Sequence, residues 1–150
     1  MIALLQRVSK ARVIVDSEVV GEIGRGLMVL LCAERGDTER EADQLLERLV
    51  NYRIFNDDQG KMNLSLIHVG GELLVVPQFT LAANTNSGTR PSFSSAASFE
   101  VGERLYDYFC LQAQARLGQV GRGRFAAHME VELTNDGPVT IWLSVPPVAS

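Results

Sequence analysis

Side chains that could perform conventional catalysis are few in this sequence of 150 residues. Its two histidines, His68 and His128, have no G-x-S-x-G segment or comparable context of a serine hydrolase beside them. Cys32 and Cys110 lie far apart, and no cluster of Cys and His has the spacing of a zinc site. A glycine-rich phosphate loop is also missing from the sequence. We therefore expect no metal and no cofactor, and two reduced, packed thiols.

Two segments stand out for their backbone chemistry instead. The first, residues 77–81, reads PQFTL and ends an apolar run. A proline cannot donate a hydrogen bond to a sheet, so Pro77 marks an edge, a bulge or a functional strand end. The second, residues 135–140, reads NDGPVT and connects two strand-like runs. Thr80 is the one hydroxyl that invites the role of nucleophile, and it is weak without a base in reach.

The elements that must position these segments are short strands and two helices. Thr38 and Glu41 form a capping box before an apolar repeat of helical spacing, and a second helix runs from Ser98 towards Gly118. Residues 82–98 are a candidate binding loop, too long for a plain turn. We interpret the first four strands as an antiparallel meander. The predicted strands are residues 2–8, 11–15, 18–23, 27–33, 73–81, 126–133 and 139–145.

Composition limits the function. With 46% apolar and 21% charged residues, the chain fits one domain over residues 1–150, with helices and strands mixed. Its 14 basic and 18 acidic side chains give a net charge of −4, which excludes binding of nucleic acid by bulk attraction. Charges at Arg7, Lys10 and Arg12 interrupt the first segment, so we expect neither a signal peptide nor a membrane span, and a cytoplasmic location.

The two segments, taken with five others, closely resemble the D-aminoacyl-tRNA deacylase family. The resemblance runs from residue 1 to about residue 145, in the order and spacing of that family. Two positions depart from its usual pattern: Pro77 stands where a serine is common, and Ser87 where relatives often carry a basic residue. The five further segments are Gln6-Arg7-Val8, Asn51-Tyr52-Arg53-Ile54-Phe55, Lys61-Met62-Asn63, Arg90-Pro91-Ser92-Phe93 and Gly123-Arg124-Phe125-Ala126-Ala127.

This resemblance implies a mixed α/β fold with a strongly curled, mainly antiparallel, barrel-like sheet and two main helices. It also implies a homodimer with its active sites at the subunit interface. One subunit would supply the catalytic segment, and the other a Gly-Pro dipeptide with a cis peptide bond that selects the substrate. Carried over to this sequence, the catalytic residues are Gln78, Phe79 and Thr80, and the substrate-binding and selector residues are Gly137, Pro138, Arg7, Asn135 and Met129.

The implied reaction is hydrolysis of the ester bond in D-aminoacyl-tRNA, and in glycyl-tRNA mischarged on the tRNA for alanine. Enantiomers have equal volume and charge, so an apolar pocket cannot sort them, and a rigid backbone wall must reject the L-substrate by a clash. The partner is the 3′-terminal adenosine of the tRNA. Backbone N–H groups near Phe79 would stabilise the oxyanion, and a ribose hydroxyl of the substrate would assist.

Two alternatives stay open at this point. The chain could be a small-ester or peptide hydrolase that uses Thr80 or a serine together with His128. It could also be a non-catalytic dimeric RNA-binding module, which would use Arg116, Arg122 and Arg124 around a glycine-rich turn.

Overall fold

One long strand organises the fold. The structure, a computed structural model, describes residues 1–148, and its first strand, β1, is Ile2–Val15. Strands β2 (Glu18–Ile23) and β3 (Gly26–Cys32) pair antiparallel with β1 along one edge, end to end. The last strand, β8 (Glu130–Ser144), pairs antiparallel with β1 along the other edge. Three strands, β2, β3 and β8, therefore pair directly with β1.

The predicted meander is wrong in its connectivity. Residues 11–15 of β1 pair with β2, as expected, but β3 returns to residues 2–8 of β1 and does not pair with β2. The predicted break at Ser9 and Lys10 is also wrong, because both side chains are exposed while the strand continues. A strand of 14 residues is long enough to hold two partners on one edge, which short apolar runs do not reveal.

The sheet continues on the far side of β3 with parallel strands. β6 (Glu72–Pro77) pairs parallel with β3, and β7 (Gly121–Arg122) pairs parallel with β6. A Cβ atom on Gly21 of β2 would lie 2.5 Å from the carbonyl oxygen of Arg122, so the two ends of the sheet nearly touch. The curled, barrel-like α/β fold with a mainly antiparallel sheet is confirmed. Of the three roles predicted for Pro77, the structure has the strand end, whereas the predicted extension of this strand to residue 81 is wrong, because residues 79–82 form a 3₁₀ turn.

Two main helices, α1 (Glu39–Asn51) and α3 (Phe99–Leu117), pack against the sheet, and both were predicted. The short helix α2 (Leu66–Val69) and the ribbon of β4 (Phe55–Asn56) and β5 (Met62–Leu64) were missed, because each is too short for a periodic pattern. Within residues 1–148 no helix is long and apolar enough to cross a membrane. The largest buried side chains of the main core include Leu5, Leu27, Leu45, Leu49, Phe55, Leu105 and Phe109.

The last two predicted strands are in fact one. Residues 126–129 precede the sheet, and β8 then runs through residues 135–140 without ending. The cause is β1, which pairs with β8 both before and after that segment. A turn-like sequence is therefore carried inside a strand.

The predicted capping box at the start of α1 is confirmed. The Glu41 carboxylate accepts hydrogen bonds from the Thr38 hydroxyl at 2.6 Å and from the Thr38 N–H at 2.8 Å. Arg40 adds a third donor at 3.0 Å. These bonds, the Thr38 hydroxyl first, lower the pKa of Glu41 to about 2.

Replacing Glu41 with Gln tests the charge in this capping box. Glutamine keeps an acceptor at the same position, so the expected loss at pH 7 is about 1 kcal/mol, the difference between a charge-assisted and a neutral hydrogen bond. Because the folded-state pKa lies below the unfolded-state pKa, the carboxylate stabilises the fold above about pH 4.5, and this advantage disappears as the pH falls towards 2. Urea unfolding at pH 7 and pH 3 measures the free energy of unfolding of the wild type and of Glu41→Gln. If the difference between the two proteins is the same at both pH values, the assignment is contradicted.

Candidate active site

The NDGPVT segment forms a large bulge in β8. The pairing of β1 with β8 sets Gln6 opposite Thr140 and Val8 opposite Asn135. Between these two pairs, β1 has one residue, Arg7, whereas β8 has four, residues 136–139. A bulge carries extra residues out of the ladder and re-aims the chain, so residues 136–139 project from the sheet. We call them the 136–139 bulge.

The side chain of Asn135 closes the neck of the 136–139 bulge. Its Oδ1 accepts a hydrogen bond from the Val139 N–H at 2.8 Å, and its Nδ2 donates to the Val139 carbonyl at 3.1 Å. Nδ2 also donates to Gln6 Oε1 at 3.0 Å and to Thr140 Oγ1 at 3.3 Å. Asn135 therefore fixes both ends of the bulge to each other and to β1.

Arg7 holds the bulge from beneath. Its Nε donates to the carbonyl oxygen of Asp136 at 2.8 Å, and its Nη1 donates to the carbonyl oxygen of Ile54 at 2.8 Å and to Asn56 Oδ1 at 3.3 Å. The side chain is buried, although the Asp136 carboxylate 3.7 Å away is exposed. A buried arginine held through both Nε and Nη1 is a rigid support, and it ties the bulge to the segment after α1.

The tip of the bulge is open to solvent. Asp136, Gly137 and Pro138 are exposed, and the Gly137–Pro138 peptide bond is cis. A Cβ atom on Gly137 would lie 2.6 Å from the Val139 nitrogen and 2.7 Å from its Cγ2, too close for any real contact. An alanine here would thus displace the tip itself. Only glycine leaves this backbone where it is.

The PQFTL segment lies where β6 ends. The Gln78 N–H donates to the carbonyl oxygen of Leu31 at 2.8 Å, and a short 3₁₀ turn, Phe79–Ala82, follows. The first N–H groups of a helical turn have no acceptor inside it, and the side chain of Gln78 does not cap this one. The amides of Phe79 and Thr80 are therefore available as donors at the strand end.

The side chains of this segment also face solvent. The Gln78 amide donates to Thr80 Oγ1, so that hydroxyl already has a partner. The ring of Phe79 is 61% exposed and contacts Phe93 edge to face, with 5.1 Å between the ring centroids. Phe93 belongs to the 82–98 loop, in which Ser87 and Arg90 are exposed.

A cavity of about 560 Å³ opens beside Gln78 and Phe79, at the carboxyl ends of the parallel strands β3 and β6. Crevices at such strand ends are common ligand sites in α/β sheets, and this volume suits a small-molecule ligand. Three parts of the chain complete its wall: the ends of both strands, the start of α3 and the segment before β8. The principal lining residues are Leu31, Cys32, Val76, Gln78, Phe79, Ser98, Phe99, Gly102, Tyr106, Phe125, His128 and Met129.

Tyr106 joins two of these walls. Its buried hydroxyl lies 2.8 Å from the carbonyl oxygen of Val75 in β6 and 3.2 Å from that of Gly123, before the segment that lines the cavity. Burial raises the pKa of Tyr106, so the hydroxyl remains a donor to these carbonyls. Tyr106 thereby holds the end of β6 and the 123–129 segment at a fixed separation.

Cys32 lies beneath the PQFTL segment, with its Sγ 3.5 Å from the carbonyl oxygen of Phe79. Burial raises the pKa of this thiol to about 11, and that of Cys110 also to about 11. A thiolate is the reactive form, so neither cysteine is a nucleophile at neutral pH. Both are buried and unbridged, as expected from the sequence.

The predicted site residues fall into two groups on this chain. Gln78, Phe79 and Met129 line the cavity, and Thr80 is next to it. Arg7, Asn135, Gly137 and Pro138 form the bulge, and none of them lines the cavity. Gln78 is bonded to Leu31, which pairs with Ala3 of β1, whereas Asn135 pairs with Val8 of β1. Ala3 and Val8 are about 16 Å apart along the strand, so the two groups lie at different levels of the sheet. One chain does not bring the groups together.

The geometry gives little support to a Thr80 nucleophile or a metal site. His128 lines the cavity, but no hydrogen bond within residues 1–148 joins it to Thr80, whose hydroxyl is bonded to the Gln78 amide. No group of three or more His, Cys, Asp and Glu side chains that could hold a metal occurs in the described part of the chain.

The arginines of the RNA-binding alternative do not form an open basic patch. Arg116 is paired with Glu47 at 2.7 Å, and Arg122 is paired with Asp107 while its guanidinium lies over the Tyr106 ring. The third, Arg124, is exposed next to the cavity wall.

Sequence reasoning missed much of the cavity wall. Phe99 and Tyr106 were not predicted as site residues, because an aromatic residue on a helix usually indicates core. Phe125 lies outside any helix or strand, and no periodic pattern marked it as a site residue. Phe99 carried the one usable signal, since the first position of a helix favours proline or an acidic residue over an aromatic one.

Comparison with known proteins adds an independent finding. The sequence model of a family described as D-Tyr-tRNA(Tyr) deacylase matches residues 4–144. A curated D-aminoacyl-tRNA deacylase from Janthinobacterium sp. (strain Marseille) is 61% identical over 148 residues, which is 99% of this chain and 99% of that protein. The D-aminoacyl-tRNA deacylase of Herminiimonas arsenicoxydans is 62% identical and covers 98% of this chain and 99% of its own length.

Solved structures show the same architecture. The c-Myc DNA Unwinding Element Binding Protein superposes with a TM-score of 0.92 at 38% identity, over 97% of this chain and 99% of that one. A probable eukaryotic D-amino acid tRNA deacylase superposes with a TM-score of 0.83 over 96% of this chain and 98% of its own. Its sequence is 20% identical, so this second likeness is one of fold.

Proposed function

The chain belongs to the D-Tyr-tRNA(Tyr) deacylase family and hydrolyses D-aminoacyl-tRNA, and we propose that it does so at a composite site built by two subunits. The family resemblance inferred from the sequence is thereby confirmed. One observation carries the proposal for the site: each chain has a cavity beside the uncapped start of a 3₁₀ turn and, about 16 Å away along the sheet, an exposed rigid bulge that does not line that cavity.

The cavity accepts the 3′-terminal adenosine of the tRNA. Its walls carry Tyr106 and Phe125, whose rings suit a planar base, and Met129, whose thioether adapts to its shape. With the nucleoside there, the ester reaches the rim formed by Gln78 and Phe79. The charge of −4 offers no general attraction for tRNA, so a fitted site for its end is the recognition that this chain can provide.

The 136–139 bulge of the partner subunit then closes the site over the α-carbon. Gly137 has no side chain, so its backbone can approach the substrate, and its carbonyl and that of Pro138 can accept the α-ammonium. A D-substrate directs hydrogen at this wall and its side chain away from it, whereas an L-substrate directs its side chain into the wall. Glycine has no side chain and enters too. Selection is therefore chiral and tolerant of side-chain type.

A homodimer is supported by the surfaces that one chain leaves uncovered. Among the described strands, β8 pairs with β1 alone, so its other edge of up to 15 residues has no strand beside it. Long exposed edges normally pair or are covered. Trp142 on the same strand is 52% exposed, and Phe79 at the cavity is 61% exposed. Burial of such surfaces is typical of a permanent dimer.

Hydrolysis needs no side-chain nucleophile in this arrangement. A water oxygen attacks the ester carbonyl, and the N–H groups of Phe79 and Thr80 stabilise the oxyanion that forms. The bond from the carbonyl carbon to the ribose oxygen then breaks, that oxygen takes the proton that the attacking water loses, and a D-amino acid and tRNA are released. The neighbouring ribose hydroxyl orients the water. The reaction takes place in the cytoplasm, where aminoacyl-tRNA is made and used.

Charged tRNA tests the proposed substrates. We expect D-tyrosyl-tRNA and glycyl-tRNA mischarged on the tRNA for alanine to lose their label, and L-tyrosyl-tRNA to react at least about 100-fold more slowly, because a backbone wall rejects its side chain. Release of acid-soluble label measures each rate. Similar rates for D- and L-tyrosyl-tRNA, or hydrolysis of simple amino-acid esters without adenosine, would support the small-ester hydrolase instead.

Subunit complementation tests the composite site. Gln78→Trp fills the rim of the cavity, and Gly137→Ala displaces the bulge through its contact with Val139, so each variant alone is expected to be inactive. A heterodimer of the two has one site with both segments intact, if the bulge acts on the partner's cavity. Heterodimers isolated through two different tags should then recover about half of the wild-type activity.

The control for this experiment is a dimer in which both subunits carry Gln78→Trp and differ only in their tags. It has no intact site, whether each site uses one chain or two. If each site used segments of a single chain, the mixed heterodimer would also be inactive. That result, or full activity of a monomer in sedimentation, rules out the cross-subunit selector.

Thr80→Ala separates backbone from side-chain catalysis. Thr80→Ala removes one hydrogen bond to the Gln78 amide, so the hydrolysis rate should decrease by less than about tenfold. Loss of a nucleophile or of an oxyanion donor would decrease it by about 10²–10³-fold or more. A substrate that ends in 2′-deoxyadenosine should be affected more than the variant. An acyl group on Thr80 in mass spectra, or a decrease above about 10³-fold in an intact dimer, establishes Thr80 as the nucleophile.

A further inference from the structure

An aromatic ring stands exposed at the mouth of the cavity. Phe99 is the first residue of α3, lines the cavity and is 62% exposed. Nothing in helix formation favours it there, since the first turn of a helix prefers proline or acidic residues and aromatic residues are poor helix formers. An exposed apolar ring at the entrance to a ligand site points to a contact made with the ligand.

Phe99 is the outer end of a series of three rings. Its centroid lies 5.2 Å from that of Phe125, with an interplanar angle of 76°, and Phe125 lies 6.1 Å from Tyr106. Exposure rises along the series, since Tyr106 is buried, Phe125 is half-buried and Phe99 is open to solvent. A T-shaped contact uses one edge or one face of a ring, so at least one face of Phe99 remains free.

Gly102 makes room for this series. A Cβ atom on Gly102 would lie 3.3 Å from the Cζ of Phe125, which is tighter than ordinary contact. The absence of a side chain lets the Phe125 ring lie against α3 directly beside Phe99. The rings thus form one continuous surface from the cavity interior to its mouth.

We propose that Phe99 is a stacking platform for the base of the nucleotide that precedes the terminal adenosine of tRNA. This inference rests on the proposed function, which assigns the cavity to that adenosine. The tRNA chain must then leave through the mouth. Two exposed phenylalanine rings line the cavity, and since Phe79 is at the rim assigned to the ester, Phe99 is the one left for the next nucleotide. Stacking accepts any base, because every base has a π-face, and it needs no basic patch. The second property suits a protein of net charge −4, which offers a phosphate backbone no general attraction.

Two probes of different length test the platform. Calorimetry measures the affinity of adenosine and of the dinucleotide cytidylyl-(3′→5′)-adenosine for the dimeric protein. The wild type should bind the dinucleotide about 5-fold to 150-fold more tightly than adenosine, the gain expected from one base stacked on an aromatic ring. Phe99→Ala should lose most of this margin, and Phe99→Tyr should keep it. Leu111→Ala, which removes an apolar side chain 61% exposed on the same helix, is the matched control and should keep it too.

The outcomes separate this inference from the proposed function. The stacking role of Phe99 is overturned if the wild type binds the dinucleotide no more tightly than adenosine, or if Phe99→Ala keeps the wild-type ratio of the two affinities. Either result counts even where D-tyrosyl-tRNA is hydrolysed normally. Weaker dimerisation of Phe99→Ala in sedimentation also overturns it, because the ring would then be covered by the second subunit. Failure of the wild type to hydrolyse D-tyrosyl-tRNA would instead count against the proposed function.

Discussion

The pairing of β1 with β8 on both sides of residues 136–139 is the constraint on which the rest depends. Because Gln6 and Val8 each have a fixed partner in β8, the four residues between those partners have one residue opposite them and must leave the sheet. Arg7 and Asn135 then hold the displaced backbone with hydrogen bonds near 2.8 Å. Strand pairing and two hydrogen-bonding side chains thus produce a rigid projection, which is what the proposed chiral selection needs.

The second half of the site follows from the parallel strands. β3 and β6 end side by side, Pro77 cannot continue the ladder, and the turn that follows leaves amide donors at the cavity rim. Tyr106 and the start of α3 complete the wall from the opposite side. Catalysis by such a site would depend on geometry more than on acid–base chemistry. That accords with the scarcity of histidine, with Cys32 held as a thiol, and with a Thr80 hydroxyl bonded to an amide.

Much of this could be predicted from local sequence, and the failures have physical causes. The capping box of Thr38 and Glu41, the strand end at Pro77 and both long helices are encoded by neighbouring residues. The order of the strands is not, because it depends on β1 being long enough for two partners on one edge. The turn-like residues 135–140 were separated from their strand because the pairing that keeps them in it lies about 130 positions away. Phe99 was missed since its exposure exists only in the folded chain.

The 136–139 bulge also has a consequence for how the protein can evolve. How far the tip projects is set by the number of residues between two fixed partners, so substitutions at exposed positions such as Asp136 leave the reach unchanged. An insertion or deletion of one residue has only two outcomes. Either it changes the reach while the flanking pairs stay in place, or it shifts the register and turns every later side chain of β8 to the opposite face. Natural variation should therefore include substitutions at exposed positions such as Asp136, but neither a replacement of Gly137 nor a change in the number of residues in the bulge.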